Sequence, residues 1–126
     1  MTRIGIDIQD VDRIKQCINT SKLPRLFTDR EIEYFQSRNW AAETVTGIFC
    51  AKEAFFKALG TGVVISQLHE VEILHSSYGA PYYKLSAKIV NEHRLNTAKI
   101  QLSISHTKAM AVAVCIIGQH ELGVGI

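Results

Sequence analysis

Hydrophobic and polar positions divide this chain into segments of two periods. Near the start, Ile4, Ile6 and Ile8 fall on one side of an alternating run and Gly5 and Asp7 on the other. Period-two alternation predicts a half-buried strand, with the isoleucines as its buried side and Asp7 on the other face, either solvated or turned toward a ligand. A glycine inside a strand marks a place where another group approaches closely. Val11, Ile14 and Ile18 then recur at helical spacing behind Asp10, a residue able to cap a helix N-terminus, and Pro24 ends that region. Thr28-Asp29-Arg30-Glu31 has the form of a capping box and opens a second helix through about Arg38, with Ile32 and Phe35 on its apolar side. A third helix spans about Ala42 to Leu59 and stops at Gly60.

The second half of the chain favours strands. His69–Leu74 alternates, Ser76-Ser77-Tyr78-Gly79 is a turn signal, and Tyr82–Leu85 reads as a strand after Pro81. Ser86 can cap a short helix through about Leu95. Lys99–Ser105 alternates with Ile100, Leu102 and Ile104 inward. Met110–Ile117 is a continuous apolar run, buried on both faces or at a subunit contact, and a turn at His106–Lys108 joins these last strands into a hairpin. The order is strand, three helices, two strands, helix, two strands. That order defines an α+β fold with an antiparallel sheet.

Composition narrows the class. The 126 residues make one domain, 1–126, and 47% apolar with 21% charged residues describes a soluble globular protein. A formal net charge of +2, without a Lys/Arg tract or a basic-aromatic ladder, argues against nucleic acid. Cys17, Cys50 and Cys115 are widely spaced, which suggests reduced thiols in a cytoplasmic protein. The five His residues form no zinc-binding spacing. Neither a signal-peptide core nor an apolar run long enough to cross a membrane is present.

The most informative stretch lies at the end of the third helix, Ala51-Lys52-Glu53-Ala54-Phe55-Phe56-Lys57-Ala58-Leu59-Gly60-Thr61-Gly62. Glu53 and Lys57 stand one turn apart on one face. Taken alone, they could be an ordinary exposed pair. A carboxylate that binds a metal, set beside a cation, could also grip a phosphate ester. Gly5-x-Asp7 followed by Arg13, the Lys-Glu-Ala block and Ser103-Ile104-Ser105-His106-Thr107 occur in this order, with a Gly79-x-Pro81 turn between the last two. Together these resemble the 4'-phosphopantetheinyl transferases, and most closely their short single-domain branch. The resemblance spans nearly the whole chain.

The resemblance implies transfer of 4'-phosphopantetheine from coenzyme A to a serine of an acyl carrier protein, with adenosine 3',5'-bisphosphate released. Asp7 and Glu53 would be the carboxylates that bind Mg2+. Glu53, Lys57 and His106 would be catalytic. Lys52, Gly79, Pro81, Ser105, His106 and Thr107 would contact coenzyme A. The proton acceptor is Glu53 or a metal-bound water. A homotrimer with sites at subunit boundaries is also implied. Gly47-Ile48-Phe49 departs from the family's usual Gly-Arg-Phe and removes one phosphate contact; Lys52, Arg38 or Lys108 are candidates to replace it.

From Arg13 to Thr28 the chain carries Arg13, Lys15, Lys22 and Arg25 and no acidic residue. With Phe27 as an apolar anchor, Arg13, Lys22 and Arg25 would suit docking of an acidic carrier protein, while a core position for Phe27 is equally open. Two other readings use the same residues. One is a non-catalytic member that binds carrier protein or coenzyme A. The other is a small metal-dependent phosphohydrolase.

Overall fold

The computed structural model describes residues 1–18 and 23–118. Lys22 lies outside them. Strand β1 (Arg3–Asp10) leads directly into helix α1 (Val11–Ile18). A one-turn helix, α2 (Leu23–Leu26), follows, then α3 (Asp29–Ser37) and the long α4 (Ala42–Leu59). Strands β2 (Val71–His75) and β3 (Pro81–Leu85), helix α5 (Ala87–His93), and strands β4 (Ile100–His106) and β5 (Met110–Ile117) complete the order, with 3-10 turns at Ile65–Glu70 and Thr97–Lys99. Pro24 does not end a region. It sits in the first turn of α2, where a missing N–H costs nothing.

Thr28 caps α3 as expected: its side chain accepts from the Glu31 amide, and the Glu31 carboxylate accepts from the Thr28 amide. Gly60 closes α4 in the left-handed conformation at φ +81°. The strand expected from His69 begins two residues later, because Ile65–Glu70 winds into a 3-10 turn. Ser86 caps α5, which ends at His93, ahead of the expected Leu95.

All pairings are antiparallel. The strands form two sheets: one of three strands in the order β1-β5-β4, and a β2-β3 hairpin. Helix α4 lies across the inner face of the larger sheet. Small residues allow the approach: Ala111, Ala113 and Cys115 from β5 meet a helix carrying Cys50, Ala51, Ala54 and Ala58, all buried. The core continues into Phe55, Phe56 and Leu68, and reaches Phe27 and Phe35 under α3.

The alternation of β1 holds, but its buried side is the reverse of the one expected. Ile4, Ile6 and Ile8 are 67%, 58% and 58% exposed, and Asp7 is 5% exposed. Gly5 explains the reversal. A Cβ there would collide with the Ala54 carbonyl and the Ala58 amide, so this side of β1 lies flush against α4. The outer face of the sheet is therefore apolar along β1 and β5. Ile4, Ile6 and Ile8 pair in register with Ile116, Val114 and Val112 of β5.

Candidate active site

The close approach at Gly5 sets Asp7 beside the middle of α4. Lys57 Nζ donates to Asp7 Oδ1 at 3.0 Å, and Gln9 Nε2, on the same strand face, donates to Asp7 Oδ2 at 3.1 Å. Glu53 stands one turn before Lys57, half-buried. Burial raises its pKa, the Asp7 charge raises it further, and Lys57 pulls it back. Two carboxylates that feel each other this way lower their energy by sharing a cation. Cys50 completes the group. Its Sγ donates to the Ala111 carbonyl at 3.5 Å, and burial, followed by the Asp7 charge, pushes the thiol up to about 12. A thiol raised this far is neutral at physiological pH.

The donor set tests which metal this cluster could hold. Among the described residues, no three His, Cys, Asp or Glu side chains gather into a metal site. Two carboxylates without imidazole or thiolate do not suit zinc. They do suit Mg2+, which takes one or two protein carboxylates and completes its shell with water and substrate phosphate.

A second feature lies on the same helix, toward its N-terminus. A pocket of about 170 Å³ opens between α4 and the β2-β3 hairpin. Gly79, Pro81 and His106, all expected to contact coenzyme A, line it together. Thr44, Gly47 and Ile48 form its helical wall, and Tyr34 and His75 close it. The turn that presents Gly79 is held by Ser76, whose hydroxyl accepts from the Tyr78 and Ala80 amides, and Gly79 takes φ +84°. Asp7, Glu53 and Lys57 do not line this pocket.

Several expected residues stand elsewhere. Lys52 is fully buried and faces away from the pocket. Its Nζ meets Glu31 Oε1 at 2.7 Å and the Leu68 carbonyl at 2.8 Å. A helix carries residues 52 and 53 about 100° apart, so with Glu53 at the carboxylate cluster Lys52 points into the core. Ser105 pairs with Val112 and is exposed on the outer sheet face, away from the pocket that its neighbours Ile104 and His106 line. The Thr107 hydroxyl accepts from the Ala109 and Met110 amides, which builds the β4-β5 turn. Phe27 is 3% exposed, edge-on to Phe35, and belongs to the core. Arg13 and Arg25 are exposed.

Residues 3–115 match the model of the 4'-phosphopantetheinyl transferase superfamily. The chain belongs to this superfamily. Within it, the chain is similar to the holo-[acyl-carrier-protein] synthase of Clostridium botulinum (strain Alaska E43), 42% identical over 116 residues, covering 90% of this chain and 94% of that protein. In structure it is similar to the Helicobacter pylori holo-[acyl-carrier-protein] synthase in complex with coenzyme A. That match has a TM-score of 0.80 and 29% identity, and covers 91% of this chain and 99% of that one. It is also similar to the Bacillus anthracis enzyme in complex with CoA (3',5'-ADP), with a TM-score of 0.76, 29% identity, and coverage of 94% and 96%.

The sequence offered no signal for Gln9, Cys50, Tyr34 or His75 as neighbours of these sites. Each is placed by tertiary approach and not by a motif.

Proposed function

We propose that this protein transfers the 4'-phosphopantetheinyl group of coenzyme A to a serine hydroxyl of apo-acyl carrier protein and releases adenosine 3',5'-bisphosphate. The observation that carries this reading is the meeting of Asp7, Glu53 and Lys57, brought from two distant segments into one charged cluster. In the reaction the serine oxygen forms a bond to the β-phosphorus, and the bond from that phosphorus to the bridging oxygen breaks. Lys57 holds a non-bridging phosphate oxygen, and the hydroxyl proton passes to the Glu53 carboxylate or to a water beside it. Asp7 and Glu53 would hold Mg2+, which when bound supplies positive charge to the diphosphate.

We read the active assembly as a homotrimer with sites at subunit boundaries. Two observations support this. The outer sheet face exposes Ile4, Ile6, Ile8 and Met110, an apolar surface of the kind a partner chain covers. The pocket lined by Gly79, Pro81 and His106 is also separate from the Asp7–Lys57 cluster, so a neighbouring chain can set one beside the other. The exposed Arg13 and Arg25 form the docking surface for an acidic carrier protein. No helix among the described residues is long and apolar enough to cross a membrane, and we read the protein as acting beside its carrier protein in the cytoplasm.

Release of adenosine 3',5'-bisphosphate separates this reading from its rivals. A transferase releases it from coenzyme A and Mg2+ only when apo-carrier protein is added. A phosphohydrolase releases it without carrier protein, and a non-catalytic binder releases none.

A further inference from the structure

The pocket between α4 and the hairpin has a wall that no motif announces. Tyr34 of α3 and His75 of β2 both line it, and their rings stack at 3.9 Å between centroids and 11° between planes. The two rings therefore act as one unit, each backed by the other. Arg38, one helical turn beyond Tyr34, places its guanidinium 5.3 Å from the Tyr34 centroid. The pocket lining contains no Lys and no Arg, only the imidazoles of His75 and His106. The His75 imidazole is held toward its neutral form, first by burial and then by the Arg38 charge. Arg38 makes no ion pair among the described residues and is exposed to solvent, whereas Arg30, also near these rings, is paired with Glu72.

Stacked aromatic rings with a cation packed over one of them recognise a flat ring that carries an anion. Within coenzyme A that description fits the adenosine 3'-phosphate end. The pantetheine arm is flexible, uncharged and without a ring. Ile48, Pro81 and Ile104 add apolar contact to the same lining, which suits a purine.

We propose that Tyr34, His75 and Arg38 form a specificity wall for the nucleotide end of coenzyme A, in which the Tyr34–His75 stack supports the adenine and Arg38 reads the ribose 3'-phosphate. This rests on the coenzyme A reading above. It assigns the 3'-phosphate to a cation outside the pocket lining and gives the chain a reason to prefer coenzyme A over 3'-dephospho-coenzyme A.

Titration calorimetry with these two ligands tests it, using the full chain as wild type, Arg38→Met, His75→Ala and Tyr34→Leu. Wild type should bind coenzyme A more tightly than the dephospho form. Arg38→Met should cut that preference about tenfold, the worth of one charge-assisted contact, by weakening coenzyme A alone. His75→Ala and Tyr34→Leu should weaken both ligands by the same factor and leave their ratio unchanged. Thermal melts of each variant identify any that fails to fold, and Arg38→Met, at an exposed position, should melt as wild type. An unchanged ratio in a folded Arg38→Met protein overturns the proposal while transfer to carrier protein still stands. Tight coenzyme A binding without transfer would instead overturn the functional reading and leave this one intact. Failure of wild type to bind coenzyme A overturns both.

Discussion

At the scale of single residues, the proposed chemistry rests on Asp7 and Glu53, and their environments predict how substitutions behave. Asp7→Ala and Glu53→Ala each remove a charge from the cluster that Lys57 bridges. Each should lower transfer about 10²–10³-fold while circular dichroism stays as in wild type. A wild-type rate in either variant at saturating Mg2+ would remove that residue from the site. Gly5→Ala acts earlier in the chain of causes. Its new Cβ would meet backbone atoms of α4, which have no rotamer to escape into, so stability should fall by about 3 kcal/mol in urea titrations. Gly5→Ala should also lose activity, because the strand can only move by carrying Asp7 away from Glu53. Cys50 gives an independent check on burial. With its thiol pushed up to about 12, iodoacetamide at pH 8 should leave Cys50 unmodified in peptide maps of the folded protein. Rapid alkylation there would mean that the helix–sheet seam is open. Asp7, Glu53, Lys57 and His106 could be singled out as candidates from sequence because their motifs are local. Lys52 was misplaced because a motif gives spacing along the chain and not the direction of burial around a helix.

At the scale of elements, the ion pair between Lys52 and Glu31 ties the helix of the carboxylate cluster to the wall of the pocket. Glu31 Oε2 also accepts from the Ile73 amide at 2.8 Å, so one carboxylate joins α3, α4 and β2. Burial pushes the Glu31 carboxyl up and the Lys52 ammonium down, each toward its neutral form, and the charge of each opposes the shift in the other. Removing one partner leaves the other buried and unpaired. Lys52→Met should therefore cost about 3–5 kcal/mol in urea unfolding at fixed protein concentration. The double variant Lys52→Met, Glu31→Leu should recover much of that loss, since neither charge is then stranded. A double variant as unstable as the sum of the two single ones would show that the pair does not act as a unit. The capping box at Thr28 was readable from sequence, and so were the ends of α4 and the whole of β5. The second role of Glu31 was not, because a cap motif is satisfied within one turn and leaves no trace of a partner in a distant helix. The buried side of β1 was also unreadable. Alternation reports period, and only the helix packed on Gly5 decides which side it covers.

At the scale of the whole molecule, the proposed trimer would divide the site between chains. The apolar outer face of β1 and β5 predicts association, and Ile6→Lys, at an exposed position midway along β1, should shift the protein to monomer in analytical ultracentrifugation and abolish transfer. A fully active monomer would defeat the shared-site model. Mixing a Glu53→Ala chain with a His106→Ala chain should restore part of the activity, because one boundary in the mixed assembly keeps both intact residues. Docking of the carrier protein belongs to this scale as well. Arg13→Glu and Arg25→Glu should weaken its binding more than that of coenzyme A, and the effect should shrink as salt rises, because exposed charges are screened beyond about 8 Å at physiological ionic strength. The central claim concerns the reaction itself, and intact mass spectrometry of apo-acyl carrier protein reads it directly. Incubated with this protein, coenzyme A and Mg2+, the carrier should gain the mass of one phosphopantetheinyl group on its acceptor serine, and should gain nothing when Glu53→Ala replaces wild type. A carrier of unchanged mass under conditions where coenzyme A is bound would contradict the account.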